Sequence, residues 1–130
     1  LRQDPAFIKA MLQGLNAKPN RPETLLKGLL DSHMPGQWEY TGDGTVILGG
    51  LAPDFTNVNG RKAVIEVFGE YWHSPRTTKH NRPLAWHQTE PGRVSVYSSL
   101  GFHCLVIWVK ELDDPKAVVE KIESFMEGAK

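Results

Sequence analysis

Two acids stand at a spacing suited to phosphate chemistry. Pro53-Asp54-Phe55 opens one extended segment, Glu66-Val67-Phe68 closes the next, and Asn59-Gly60 lies between them. Asn-Gly is a strong hairpin signal, so the two segments are expected to pair antiparallel and bring Asp54 and Glu66 to one point. Strand side chains alternate, which puts Glu66 and Phe68 on one face and Val67 on the other. Two carboxylates and a strand carbonyl would hold a hard cation such as Mg²⁺ with positions left for water. Such an ion activates water and offsets charge developing on a phosphodiester. Glu66 interrupts an otherwise apolar strand, and a buried acid there is costly without a partner.

An acid pair of this kind resembles the Pro-Asp…(Asp/Glu)-x-Lys nuclease core, with Phe68 where the lysine would stand. Directly after the strand comes Gly69-Glu70-Tyr71-Trp72-His73. With Pro53-Asp54-Phe55, this segment resembles the very-short-patch-repair endonucleases and the related phage and intron homing endonucleases. That group lacks the lysine and carries an aromatic-His pair after the same strand. Asn20-Arg21-Pro22-Glu23 is similar to its N-terminal helix, and Leu100 to Trp108 with Glu111-Leu112 to its closing strand and turn. Arg2-Gln3-Asp4-Pro5 looks like the tail of the DNA-binding modules that precede such domains, so the resemblance implies a longer chain.

The resemblance implies a restriction-endonuclease-like α/β fold and hydrolysis of double-stranded DNA with Mg²⁺ or Mn²⁺. Asp54 becomes the principal metal ligand, joined by the Val67 carbonyl with Glu66 beside it. His73 becomes the general base, suited by a pKa near neutrality. Glu23 sits across the site, and Glu90 takes the place of a further acid before the short helix. Phe68 replaces a histidine of the mismatch-repair members, and their structural zinc ligands have no counterpart in Cys104 and five scattered histidines. Both departures favour the homing nucleases. Two other readings use the same residues: a non-catalytic DNA- or protein-binding module derived from a nuclease, and a mismatch-directed nickase. Glu23 in a first helical turn also favours its own helix dipole, whatever else it does.

Charge supports a nucleic-acid partner by distribution, not by sum. Fifteen Lys and Arg balance fifteen Asp and Glu. Residues 1–30 carry a net +3, residues 74–93 another +3, and residues 110–130 a net −2. Arg76, Lys79, Arg82 and Arg93 are the candidate DNA-backbone contacts. The single cysteine excludes an internal disulfide framework and fits a cytoplasmic setting, and the resemblance implies an origin in a bacterium, phage or mobile element.

The 130 residues, 40% hydrophobic and 23% charged, suffice for one domain. Residues 1–19 are expected to form an N-terminal helix and residues 20–130 the catalytic domain. Leu25, Leu26, Leu29 and Leu30 give the second helix its stripe. Strands are expected at Trp38–Tyr40, Thr45–Leu48, Pro53–Val58, Lys62–Phe68 and Cys104–Val109. A long loop is expected from Gly69 to Gly92, a short helix from Arg93 to Leu100, and a final helix capped by Asp113-Asp114-Pro115. The order predicts one mixed-sheet α/β domain flanked by helices, and cutting of both strands would call for a homodimer or sequential nicking.

Overall fold

A computed structural model describes residues 19–69 and 84–129 of the chain. Helix α1 (Arg21–His33) precedes strands β1 (Trp38–Tyr40), β2 (Phe55–Asn57) and β3 (Ala63–Phe68). Helix α2 (Glu90–Ser99), strand β4 (His103–Trp108) and helix α3 (Pro115–Gly128) follow. The four strands form one sheet in the order β1-β2-β3-β4. β1 pairs antiparallel with β2, and β2 antiparallel with β3 through the expected hairpin, in which Gly60 has φ +90°. β3 and β4 run parallel from Ala63↔His103 to Phe68↔Trp108. A parallel pair needs a crossover, and the chain between these strands includes α2. β3 is therefore central and almost wholly buried, as its apolar run predicts.

The alternation of β3 divides the core. Ala63 and Ile65 join Phe55, Ile107 and the stripes of α1 (Leu26, Leu30) and α3 (Val118, Ile122). On the other side of β3, Glu66 meets Tyr97 and Arg93 of α2, and Tyr97 is fully buried. No helix among the described residues is long and apolar enough to cross a membrane.

Three local expectations change. Thr45–Leu48 is not a strand: Leu48 and Leu51 bridge each other across Gly49-Gly50, both at positive φ, and the segment turns back on itself. Thr45 itself is tied into the preceding turn, its N–H and hydroxyl both donating to Asp43 Oδ1. Helix α2 begins at Glu90, three residues earlier than expected, because Thr89 caps it by accepting from the Gly92 N–H at 3.1 Å. Pro91, which reads as a loop residue, falls within the first turn, where a missing N–H costs nothing. A 3₁₀ turn (Val109–Asp113) separates β4 from α3. The helix expected in residues 1–19 lies outside the described residues, apart from its last position.

Gly101 ends α2 at φ +83°, with Phe102 N–H donating to the Tyr97 carbonyl and Gly101 N–H to that of Ser98. Gly92 has a different reason to be glycine. A Cβ there would overlap the backbone carbonyl of Trp86 in a 3₁₀ turn (Trp86–Gln88) that precedes α2. Gly92→Ala is expected to cost about 3 kcal/mol, the upper part of the usual overpacking range. Urea unfolding measures this, and a loss below about 1 kcal/mol would contradict the close approach.

Candidate active site

The site is built at the end of the β2–β3 hairpin. Continuing the β2–β3 register places Asp54 opposite Glu66, and side chains of both carry bonds between the two segments. The Asp54 backbone N–H donates to Glu66 Oε1 at 2.9 Å, and the Val67 N–H donates to Asp54 Oδ2 at 2.8 Å. Side chains thus continue the ladder where the strand pairing ends. Thr41, buried after β1, fixes the other side of the same dipeptide. Its N–H donates to the Asp54 carbonyl at 2.8 Å and its hydroxyl to the Pro53 carbonyl at 2.7 Å.

Glu23 arrives from the first turn of α1. Asn20 caps the helix by accepting from the Glu23 N–H at 2.9 Å, and Glu23 Oε1 accepts from the Asn20 N–H at 3.0 Å. This capping box fixes the carboxylate while leaving its other oxygen uncommitted to the box. Glu23 is only 9% exposed and lines the cleft, close enough to Asp54 to share a hydrogen bond when either is protonated. The dipole role and the cleft role are therefore compatible.

These residues bound an open cleft of about 420 Å³ lined by Asn20, Glu23, Asp54, Glu66, Val67, Phe68 and Arg93, among others. Burial, then the charges of Glu66 and Glu23, hold the Asp54 carboxyl well above the usual carboxylate range. Asp54 keeps partial access to solvent through the cleft. Burial also raises Glu66, opposed by the Arg93 charge and by bonds from Asp54, Arg93 and Tyr97. Burial pushes the Tyr40 phenol up, with Glu23 and Asp54 adding to it. Burial is also the main cause that pushes the Cys104 thiol up, which works against the thiolate form.

The expected residues do not all converge. Asp54, Glu23, Glu66 and Val67 line one cleft. Glu66, expected beside a metal ion, is instead taken up by protein: Oε2 pairs with Arg93 Nη1, while Oε1 accepts from Asp54 and from the Tyr97 hydroxyl at 3.3 Å. Its high burial demands such a partner. Glu90 does not line the cleft; its Oε1 accepts from the Trp108 indole N–H at 2.7 Å. Arg93, expected on a DNA-facing surface, has a side chain only 12% exposed and borders the cleft. His73, Arg76, Lys79 and Arg82 lie outside the described residues. Among the described residues no three His, Cys, Asp or Glu side chains form a metal-holding group. Thr41, Tyr97 and the Arg93–Glu66 pair were missed. With α2 extended back to Glu90, Arg93 and Tyr97 fall four residues apart on one helix face, which would have pointed at a buried acid.

A solved homing endonuclease I-Bth0305I catalytic domain is 26% identical to this chain. It superposes with a TM-score of 0.60 and covers 85% of this chain and 97% of that one. No protein-family model and no curated protein matches the chain. The four-stranded mixed sheet and three α-helices of the described residues are thus consistent with a homing endonuclease catalytic domain, and the fold is nuclease-like.

Proposed function

We propose that this chain is a metal-dependent DNA endonuclease domain of homing-endonuclease type that hydrolyses phosphodiester bonds. One observation carries the reading: the Asp54 carboxylate, oriented by the Val67 N–H, faces Glu23 in an open cleft. Two crowded carboxylates in a partly desolvated site repel each other, and a hard divalent cation removes that repulsion. The donor set therefore fits Mg²⁺ or Mn²⁺, held by Asp54 and Glu23. The Val67 carbonyl is a third candidate, because a strand residue's N–H and C=O point to the same edge. When bound, the ion supplies Lewis acidity to the attacking water and to the phosphate.

The chain's own groups do the rest. Asp54 is held rigid by Val67 and, through its backbone, by Thr41. Glu23 is held by the capping box and orients water or an ion across the cleft. His73, four residues after the cleft-lining Gly69, takes the proton from water. Arg76, Lys79 and Arg82 contact the DNA backbone. The similarity to a homing endonuclease catalytic domain supports DNA as substrate.

Purified protein is expected to nick supercoiled plasmid with Mg²⁺ or Mn²⁺ and to stop in EDTA. Asp54→Ala and His73→Ala are each expected to lose on the order of 10²–10⁴-fold in rate, the scale of a lost proton-transfer or charge-stabilising group. Uncut plasmid under both metals, or wild-type cutting by both variants, contradicts the reading. Salt-sensitive DNA binding without metal-dependent cutting would make the chain a binding module instead.

A further inference from the structure

The cleft lining is acidic, and Arg93 is its one cation among the described residues. Its guanidinium is held on three sides. Nε donates to the His87 carbonyl at 2.6 Å, Nη1 to Glu66 Oε2, and Cζ sits 5.2 Å from the centroid of the Phe68 ring. Glu66 is itself fixed by the Asp54 N–H and the Tyr97 hydroxyl. These contacts use two of the five guanidinium donors and freeze its plane. A positive group already in place favours entry of a phosphodiester into a cleft with Glu23 and Asp54, beside whatever ion they hold, and a planar fork matches two phosphate oxygens.

We propose that Arg93 grips the non-bridging oxygens of the DNA phosphate in this cleft, and that Glu66 is the positioning residue that aims it. The assignment rests on the nuclease reading of the cleft and goes beyond it by giving the substrate phosphate a named receptor. Phe68 has a matching role, as the apolar floor on which the guanidinium lies. Glu66 orients the cation and takes no part in binding the divalent ion.

Removing Arg93 alone leaves Glu66 buried and unpaired, so the informative variant neutralises both partners: Glu66→Gln with Arg93→Gln. Binding of a fluorescein-labelled DNA duplex is followed by anisotropy in EDTA over a salt series, with thermal melting as the folding control. The double variant is expected to bind about 10-fold more weakly, and its log Kd against log salt slope is expected to fall by about one. Arg93→Lys keeps the charge and should keep the slope. Glu66→Gln alone should also keep the slope but cut plasmid at least about 10-fold more slowly, because the cation is present and misaimed. Unchanged affinity and slope in the double variant overturn the assignment. If the wild type leaves plasmid intact while the slope still falls, the phosphate receptor stands and the nuclease reading fails. If the wild type cuts while the slope is unchanged, the reverse holds.

Discussion

Asp54→Asn is expected to abolish cleavage and, in metal-free buffer, to make the protein harder to unfold. Loss of a carboxylate that offsets transition-state charge is worth several kcal/mol, on the order of 10³-fold in rate. The same substitution keeps an oxygen for the Val67 N–H while removing a charge crowded by Glu66 and Glu23. Because burial and those two charges raise Asp54, the folded protein holds its proton to a higher pH than the unfolded chain does. Stability then falls as pH rises from the ordinary carboxylate value through the raised one. The asparagine variant lacks this contribution to the decline. Its advantage over wild type is therefore expected to open across that window and reach a few degrees in Tm, roughly 1 kcal/mol for a domain of this size. Mg²⁺ should reverse the order, since a ligand that binds only the native state stabilises it by mass action. Thermal melts of both proteins over a pH series, with and without Mg²⁺, check every part. A wild type more stable than the variant at neutral pH in EDTA would contradict the crowded-carboxylate picture.

The second large effect concerns folding. Arg93→Ala strands Glu66, which is 2% exposed, without its charge partner. Breaking one side of a buried pair costs about 3–5 kcal/mol, which corresponds to a fall of roughly 10–20 °C in Tm here. Glu66→Gln combined with Arg93→Gln removes the uncompensated charge and should recover most of that loss. The exposed Lys27–Asp31 pair on α1 is the control, its side chains 49% and 55% exposed. Lys27→Ala is expected to change stability by no more than about 0.5 kcal/mol. Calorimetry of the four proteins decides this. An Arg93→Ala protein that melts with wild type would mean the pair contributes nothing to the fold.

Legibility of the sequence followed the range of the interactions. The β2–β3 hairpin was readable because Asn59-Gly60 specifies its turn locally, and β3 because its apolar run is the mark of a central strand. Asp54 and Glu66 could be brought together from that register alone. The partners of Glu66 could not, since Arg93 and Tyr97 lie 27 and 31 residues away on a helix whose start is disguised by Pro91. Thr41 was invisible for the same reason: its bonds to Pro53 and Asp54 depend on where β1 ends against β2. Thr45–Leu48 misled because its β-branched run outweighed the glycines around it: Gly44, Gly49 and Gly50 all sit at positive φ and turn the segment back on itself. Glu23 was ambiguous between its helix dipole and the cleft, and the structure shows that one carboxylate oxygen closes a capping box while the residue lines the cleft.

The central claim is that Asp54 and Glu23 together hold a divalent ion in this cleft. Diffraction from crystals soaked in Mn²⁺, with data collected for the anomalous signal of manganese, tests it most directly. The account predicts a strong peak within coordination distance of Asp54 and Glu23, with Glu66 still paired to Arg93, and its loss in Asp54→Asn crystals. A wild-type cleft with no peak at saturating Mn²⁺, or an ion bound only elsewhere on the molecule, would contradict it.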